Sequence, residues 1–299
     1  MILAEFDYVR PSALDEALVL LGGHPGARVL AGGQSLLPDL GSGSATARML
    51  VDVRRLEELR GIARTPEGAL RIGAATTLAE LAAHPLVLAG APELAAAARA
   101  NGDPQVRNLG TVGGNLCAAG RPTDLPVAAL AADARLELAG PGGRRTVAAE
   151  EFAASGPPPA TVVTALLVPA PGPAAAFEKT ADRATRYPLC AVAVRLTADG
   201  PRIAVTGATA RPQRLPGIEA RLAGTAHDGP AHTGPAHTGP AHNGPAHTGT
   251  AYTTEAVLAA FRAEPRELFV PGRGTSAEYL GHLAGVLTAR ALARAQAPS

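Results

Sequence analysis

Two stretches decide the reading: RVLAGGQSLLPDL at residues 28–40, and NLGTVGGNLCAAGRPTDLPVAALAADA at residues 108–134. Each sets a Gly-Gly pair among hydroxyl and amide side chains. The first loop offers Ala31, Gly32, Gly33, Gln34, Ser35, Leu36 and Leu37; the second offers Thr111, Val112, Gly113, Gly114 and Asn115. Glycine tolerates positive φ and lets the backbone approach a ligand closely. Successive N–H groups in such a turn make a nest for anionic oxygens, and Ser35, Thr111 and Asn115 can add side-chain hydrogen bonds. A pair of loops like these suits a clamp on a pyrophosphate. Neither fits G-x-x-x-x-G-K-[ST], which disfavours a P-loop. Nor does either supply the G-x-G-x-x-G of a Rossmann domain. A single Gly-Gly turn is commonly just a turn. The two together indicate an anionic, dinucleotide-like ligand, and no more than that.

Around the first loop the chain reads helix, strand, glycine loop, helix, strand. Ser12 is placed to cap a helix over 13–21, with Asp15 and Glu16 in its first turn. Leu14, Leu18 and Leu21 share one face of it, and Gly22-Gly23 stops it. Strands are predicted at 28–31, 49–53 and 70–73. Thr77 with Glu80 is a capping-box signature for a short helix ending near His84-Pro85. Pro92 opens a further helix that Asn101-Gly102 ends. A helix over 124–131 and a β-type run at 161–168 flank the loop at 156–159. Runs at 177–180, 190–196 and 203–209 read as strands. Thr275 with Glu278 opens a last amphipathic helix, with Leu280, Leu283, Ala284 and Leu287 as its buried stripe.

The 299 residues are long for a single core and point to two or three modest domains. Hydrophobic residues at 46% against 18% charged provide for a packed interior. Lys+Arg 27 against Asp+Glu 26 leaves +1, with none of the concentrated positive charge that displaces counterions from nucleic acid. No run of about 18 apolar residues occurs, so no transmembrane segment is expected. MILAEFDYVRP lacks the basic and then apolar regions of a signal peptide, which points to a cytoplasmic protein. Cys117 and Cys190 supply neither a disulfide framework nor a four-thiolate site. Lys179 is the single lysine; composition bias accounts for the arginines.

A five-residue repeat from Pro230, PAHTG or PAHNG, carries His232, His237, His242 and His247, and with His227 in the preceding TAHDG the histidines are spaced by five. Histidine clusters bind transition metals. Pro and Gly in every unit prevent the helix or ladder that would fix ligand geometry, so a disordered surface loop at about 226–250 is expected, and no metal site. No His-Glu-x-x-His, G-x-S-x-G or triad signature appears. His24, His84 and His282 sit in loop or helix contexts suited to solvation or capping.

AGGQSLLPDL and the 108–134 stretch resemble the FAD-binding subunit of the molybdenum hydroxylases, the medium subunit of aerobic carbon monoxide dehydrogenase and the flavin domain of xanthine dehydrogenase. FDYVRPSALDEALVLL at 6–21 and SAEYLGHLAGVLTARAL at 276–292 are similar to the family's ends, so the resemblance spans nearly the whole chain except the histidine repeat. It implies an α+β fold: a split two-subdomain FAD-binding unit of the PCMH type at 1–55 and 56–173, then a C-terminal α+β domain with antiparallel sheet at 174–299. It implies FAD as cofactor, held at the diphosphate by residues 31–37 and 111–115. Asp124 matches an acidic position that contacts the ribitol or ribose hydroxyls, with helix capping as its plainer role. Tyr187 matches an aromatic or apolar position near the flavin ring, or else is a core or edge-strand tyrosine.

Partners implied are a molybdopterin-containing large subunit and a small [2Fe–2S] subunit, with electrons passed on to NAD, a quinone or O2. No catalytic acid, base or nucleophile is expected in this chain. Departures from the family are Leu109 in place of a common Arg, and Arg and Pro in the 183–188 segment. The alternatives are a stand-alone flavin oxidase or reductase, and a scaffold that has lost its flavin.

Overall fold

The computed structural model describes residues 5–118, 120–172, 174–225, 252–272 and 274–297. The histidine repeat lies outside the described residues. The strands form three sheets.

The first sheet takes β1 (Asp7–Val9), β2 (Ala27–Leu30) and β3 (Met49–Asp52), with α1 (Leu14–Gly23) and α2 (Leu36–Ser42) as the connections. Its order is β1-β3-β2, and both pairings are parallel. The first glycine loop therefore leaves the carboxyl end of a parallel strand, the edge where open α/β sheets bind ligands. Ser12 does not cap α1 as anticipated. Ala13 holds the cap position, and Ser12 instead donates its N–H and hydroxyl to Glu16 Oε2 (2.7 and 3.0 Å). Leu14, Ala17 and Leu21 are buried against Met49, Val51 and Val53.

The second sheet takes β4 (Ile62–Arg64), β5 (Leu70–Gly73), β6 (Arg135–Gly140), β7 (Gly143–Ala148) and β8 (Val162–Val168). Its order is β4-β5-β8-β6-β7, antiparallel throughout. Inserted between β5 and β6 are α3 (Leu78–Ala83), α4 (Pro85–Gly90), α5 (Pro92–Ala100), α6 (Pro104–Leu109), α7 (Val112–Leu116) and α8 (Leu125–Ala131); α9 (Ala149–Ser155) follows β7. Thr77 and Glu80 form the anticipated capping box on α3. The second glycine stretch is more regular than the turn its sequence predicts: Thr111 caps α7.

The third sheet takes β9 (Ala175–Ala181), β10 (Pro188–Thr197), β11 (Gly200–Thr206) and β12 (Gln213–Arg214), antiparallel in the order β12-β11-β10-β9. Behind it pack α10 (Pro216–Thr225), α11 (Thr254–Arg262) and α12 (Ala277–Gln296). The last helix is capped by Ser276, whose Oγ accepts from Tyr279 N–H at 3.1 Å, and not by Thr275. The architecture is the α+β class with antiparallel sheets.

Alternation along the third sheet divides its side chains between two cores. Val192, Val194, Ile203 and Val205 face the terminal helices. Phe177, Ala191, Ala193 and Ala204 face the core under α5 and α8.

Candidate functional site: a cleft between two glycine turns

The two glycine stretches, some eighty residues apart in sequence, meet back to back. A Cβ on Gly32 would land on the carbonyl oxygen of Leu109 and 2.7 Å from Gly110 Cα. Only a residue without a side chain permits that approach. Gly33 has φ +72°, the left-handed region that glycine enters freely.

The N–H groups of the second stretch are spent within the protein, mostly on the segment between β5 and α3. Val112 N–H donates to Thr76 O (2.9 Å), Gly113 N–H to Ala74 O (2.8 Å) and Gly114 N–H to Thr111 Oγ1 (3.1 Å). The first stretch differs. Among the described residues, none accepts from the backbone N–H groups of Gly32, Gly33, Gln34 or Ser35. Gln34 folds its amide back onto Gly32 O at 3.1 Å.

Beside the two turns opens a cleft of about 650 Å³, within the usual range of ligand sites. Of the anticipated residues, Ala31, Gly32, Gly33, Gln34, Ser35 and Leu36 line it from the first turn, and Thr111, Gly113, Gly114 and Asn115 from the second. Tyr187 lines it from the third sheet. Three do not. Leu37 packs beside Gly33 at the surface, and Val112 is wholly buried in the core.

Asp124 is the third, at 1% exposure. Its carboxylate is taken by Lys179 Nζ (2.7 Å to Oδ1) and by Asn101 Nδ2 (2.7 Å to Oδ2). Burial pushes its carboxyl above the ordinary range, against the pull of Lys179 and Asn101. It sits at the cap position of α8 without capping it. That work falls to Asn115, whose Oδ1 accepts from Leu125 N–H at 3.0 Å. Lys179, the single lysine, is thus committed to Asp124 and to Ala100 O (3.1 Å).

Tyr187 is held by a tight turn between β9 and β10. Asp182 Oδ1 accepts from Thr185 N–H (2.8 Å), and Asp182 O from Arg186 N–H (2.9 Å). Arg186 adopts φ +62°, a strained conformation for a side-chain-bearing residue, and lines the cleft. Arg121 lies 5.9 Å from the Tyr187 ring centre and pairs with Asp39 of α2.

Sequence reasoning missed Asp103, Thr123, Thr185 and Arg186 as lining residues. For Asp103 a signal existed: Asn-Gly followed by Asp-Pro is a turn then a cap, and Asp103 Oδ1 does accept from Val106 N–H (2.9 Å). For the 182–187 turn no pattern marks which loop folds toward a cleft built elsewhere.

Residues 4–171 match the family described as the FAD binding domain in molybdopterin dehydrogenase. The chain belongs to this family. It is 39% identical over 240 residues to the carbon monoxide dehydrogenase medium chain of Hydrogenophaga pseudoflava, covering 76% of this chain and 83% of that one. It is 39% identical over 145 residues to the xanthine dehydrogenase FAD-binding subunit of Escherichia coli O157:H7, covering 48% and 50%. A solved carbon monoxide dehydrogenase from Hydrogenophaga pseudoflava superposes with a TM-score of 0.81 at 34% identity, over 99% of this chain and 98% of that one. The α+β fold and the FAD cofactor that the resemblance implies therefore agree with the family. Among the described residues no helix is long and apolar enough to cross a membrane.

The site fits FAD on its own terms. The unengaged N–H groups at 32–35 suit phosphate oxygens, and Gly33 and Gly114 line the cleft beside them.

Proposed function

We propose that this chain is the FAD-carrying electron-transfer subunit of a heteromeric molybdenum hydroxylase. In this reading a molybdopterin-containing large subunit oxidises the substrate and a small [2Fe–2S] subunit carries the electrons. FAD, when bound, supplies the exchange between single electrons and electron pairs before they leave to NAD, a quinone or O2.

The residues of this chain bind and orient. The N–H groups of Gly32 to Ser35 donate to the diphosphate, and the turn capped by Thr111 forms the opposing wall with Gly114 and Asn115. Tyr187 and Arg186 close the end of the cleft nearest the third sheet. Asp124 acts from beneath: by holding Lys179 it fixes β9, and with it the turn that carries Tyr187.

The observation that carries the reading is the meeting of the two glycine turns at one cleft, with one turn's N–H groups unspent. The cleft lining supports a relay over a self-sufficient oxidase. Among the described residues its one carboxylate, Asp103, caps α6, and burial pushes the Cys117 thiol up to about 12, so it stays protonated at neutral pH. The test is to purify the chain with its neighbouring subunits and record flavin absorbance and electron uptake. FAD bound in a complex with molybdenum and iron–sulfur subunits is the expected result. Oxidation of a small substrate by the FAD-loaded chain alone would overturn the relay.

A further inference from the structure

Three walls of the cleft meet at one side chain, that of Arg121, on the segment joining α7 to α8. This segment is tied to the second glycine turn: Thr123 Oγ1 donates to Asn115 O (2.9 Å), and Leu125 N–H to Asn115 Oδ1 (3.0 Å). From it one arm of the guanidinium, Nη2, pairs with Asp39 of α2. Asp39 stands one helical turn past the first glycine turn, and its N–H donates to Ser35 O at 3.1 Å. The other arm, Nη1, lies 3.5 Å from the hydroxyl oxygen of Tyr187, with the guanidinium carbon 5.9 Å from the ring centre. A continuous path therefore runs from the first turn, through Asp39 and Arg121, to the tyrosine that lines the cleft from the third sheet.

This geometry needs arginine. A planar fork can hold a carboxylate on one edge and meet an aromatic ring or its hydroxyl on another, which the point charge of lysine cannot. The side chains of Arg121 and Asp39 are 28% and 24% exposed, so water screens the pair and it adds little to stability. Arg121 does not line the cleft itself; its contacts act on the residues that do.

We infer that Arg121 is a positioning residue for the flavin. It ties the turn that holds the diphosphate to the tyrosine that meets the ring, and so sets the spacing between the two ends of the cofactor. The inference rests on the reading that FAD occupies this cleft.

The test uses the full-length chain loaded with FAD and reads three quantities: affinity by titration, fluorescence of the bound flavin, and the urea midpoint. A tyrosine packed on a flavin quenches its fluorescence by electron transfer, and the quenching fades steeply with separation. Tyr187→Ala is expected to brighten bound FAD. Arg121→Met is expected to brighten it too, to weaken FAD binding about threefold, and to leave the urea midpoint in place. On the Tyr187→Ala background, Arg121→Met brightens the flavin no further, because it acts through that ring. Arg121→Lys, which keeps a cation for Asp39 but loses the second arm, holds the affinity and still brightens the flavin. Unchanged fluorescence in Arg121→Met, or equal brightening with and without the Tyr187 ring, overturns the inference. Bound FAD that stays dim in Tyr187→Ala would put the flavin ring elsewhere and overturn it as well. A wild-type chain that takes up no FAD would instead bring down the reading beneath it. If Arg121→Met does not fold, Arg121→Lys decides.

Discussion

Gly32 and Gly43 are glycines for different reasons, and substitution separates them. Gly43 has φ +77° and open space where a Cβ would go, so Gly43→Ala costs only the left-handed backbone, about 1 kcal/mol. At Gly32 a Cβ meets the backbone of Leu109 and Gly110, which cannot swing aside. Gly32→Ala is expected to cost about 2 kcal/mol by urea unfolding and to part the two turns, so FAD content per folded chain falls sharply. Gly43→Ala leaves FAD content intact. Equal effects of the two on FAD content would show that the contact with Leu109 does not shape the site. A second residue-scale case is Asp52, at the end of β3. Burial alone would raise its pKa, but hydrogen bonds from Arg54 and Tyr8 win and hold it at about 2, below its ordinary 3.8. A depressed carboxyl stabilises the fold above its unfolded pKa and loses that contribution as pH falls toward the folded one. Between pH 7 and pH 3, the chain should lose about 1 kcal/mol more stability than Asp52→Asn does. Parallel pH profiles for the two would contradict it.

At the scale of elements, local chemistry was legible where it is self-contained. The Thr77–Glu80 box lies within four residues, and the strand at 70–73 is bounded by its own turn signals. The β6–β7 hairpin went unread because β7 (GRRTVA) shows almost no buried face and takes its strand state from pairing with β6. The last helix shows how adjacent hydroxyls mislead. Thr275 with Glu278 has capping-box spacing, yet Thr275 is engaged with Gly272 and the cap passes to Ser276. Ser276→Ala should therefore cost about 1 kcal/mol, read as a lowered urea midpoint; no change would return the cap to Thr275. In the site, both turns were legible from their glycines and hydroxyls. The division of labour between them was not, since the partners of the N–H groups at 112–114 (Thr76, Ala74 and the Thr111 side chain) depend on how β5 leads into α3. Asp124 was read by its motif, but its partner Lys179 lies in another sheet, 55 residues on.

At the scale of the whole molecule, two buried ion pairs tie the third sheet to the helices of the second. Lys179 of β9 reaches Asp124 before α8. Arg195 of β10 reaches Glu93 of α5 at 2.5 Å and also donates to Gly90 O and Ala170 O. Glu93 is fully buried, and burial drives its carboxyl above the ordinary range against the pull of Arg195. Such pairs add little net stability over a well-packed apolar pair, yet removing one member strands the other. Their contribution here is to fix where the third sheet lies, and so where Tyr187 stands over the cleft. Lys179→Met should then destabilise the chain by about 3 kcal/mol, leaving Asp124 without its cation. Adding Asp124→Asn, which removes the charge and keeps an oxygen for Asn101, should recover part of that loss. Because neither residue lines the cleft, the refolded double variant should still take up FAD, with weakened affinity from a displaced Tyr187 turn. Urea unfolding of the two single variants and the double gives the coupling between the sites, and FAD titration of the double variant gives the rest. Complete loss of FAD binding in a double variant of near-normal stability would mean that Asp124 touches the cofactor itself, and the supporting role assigned to it would fall.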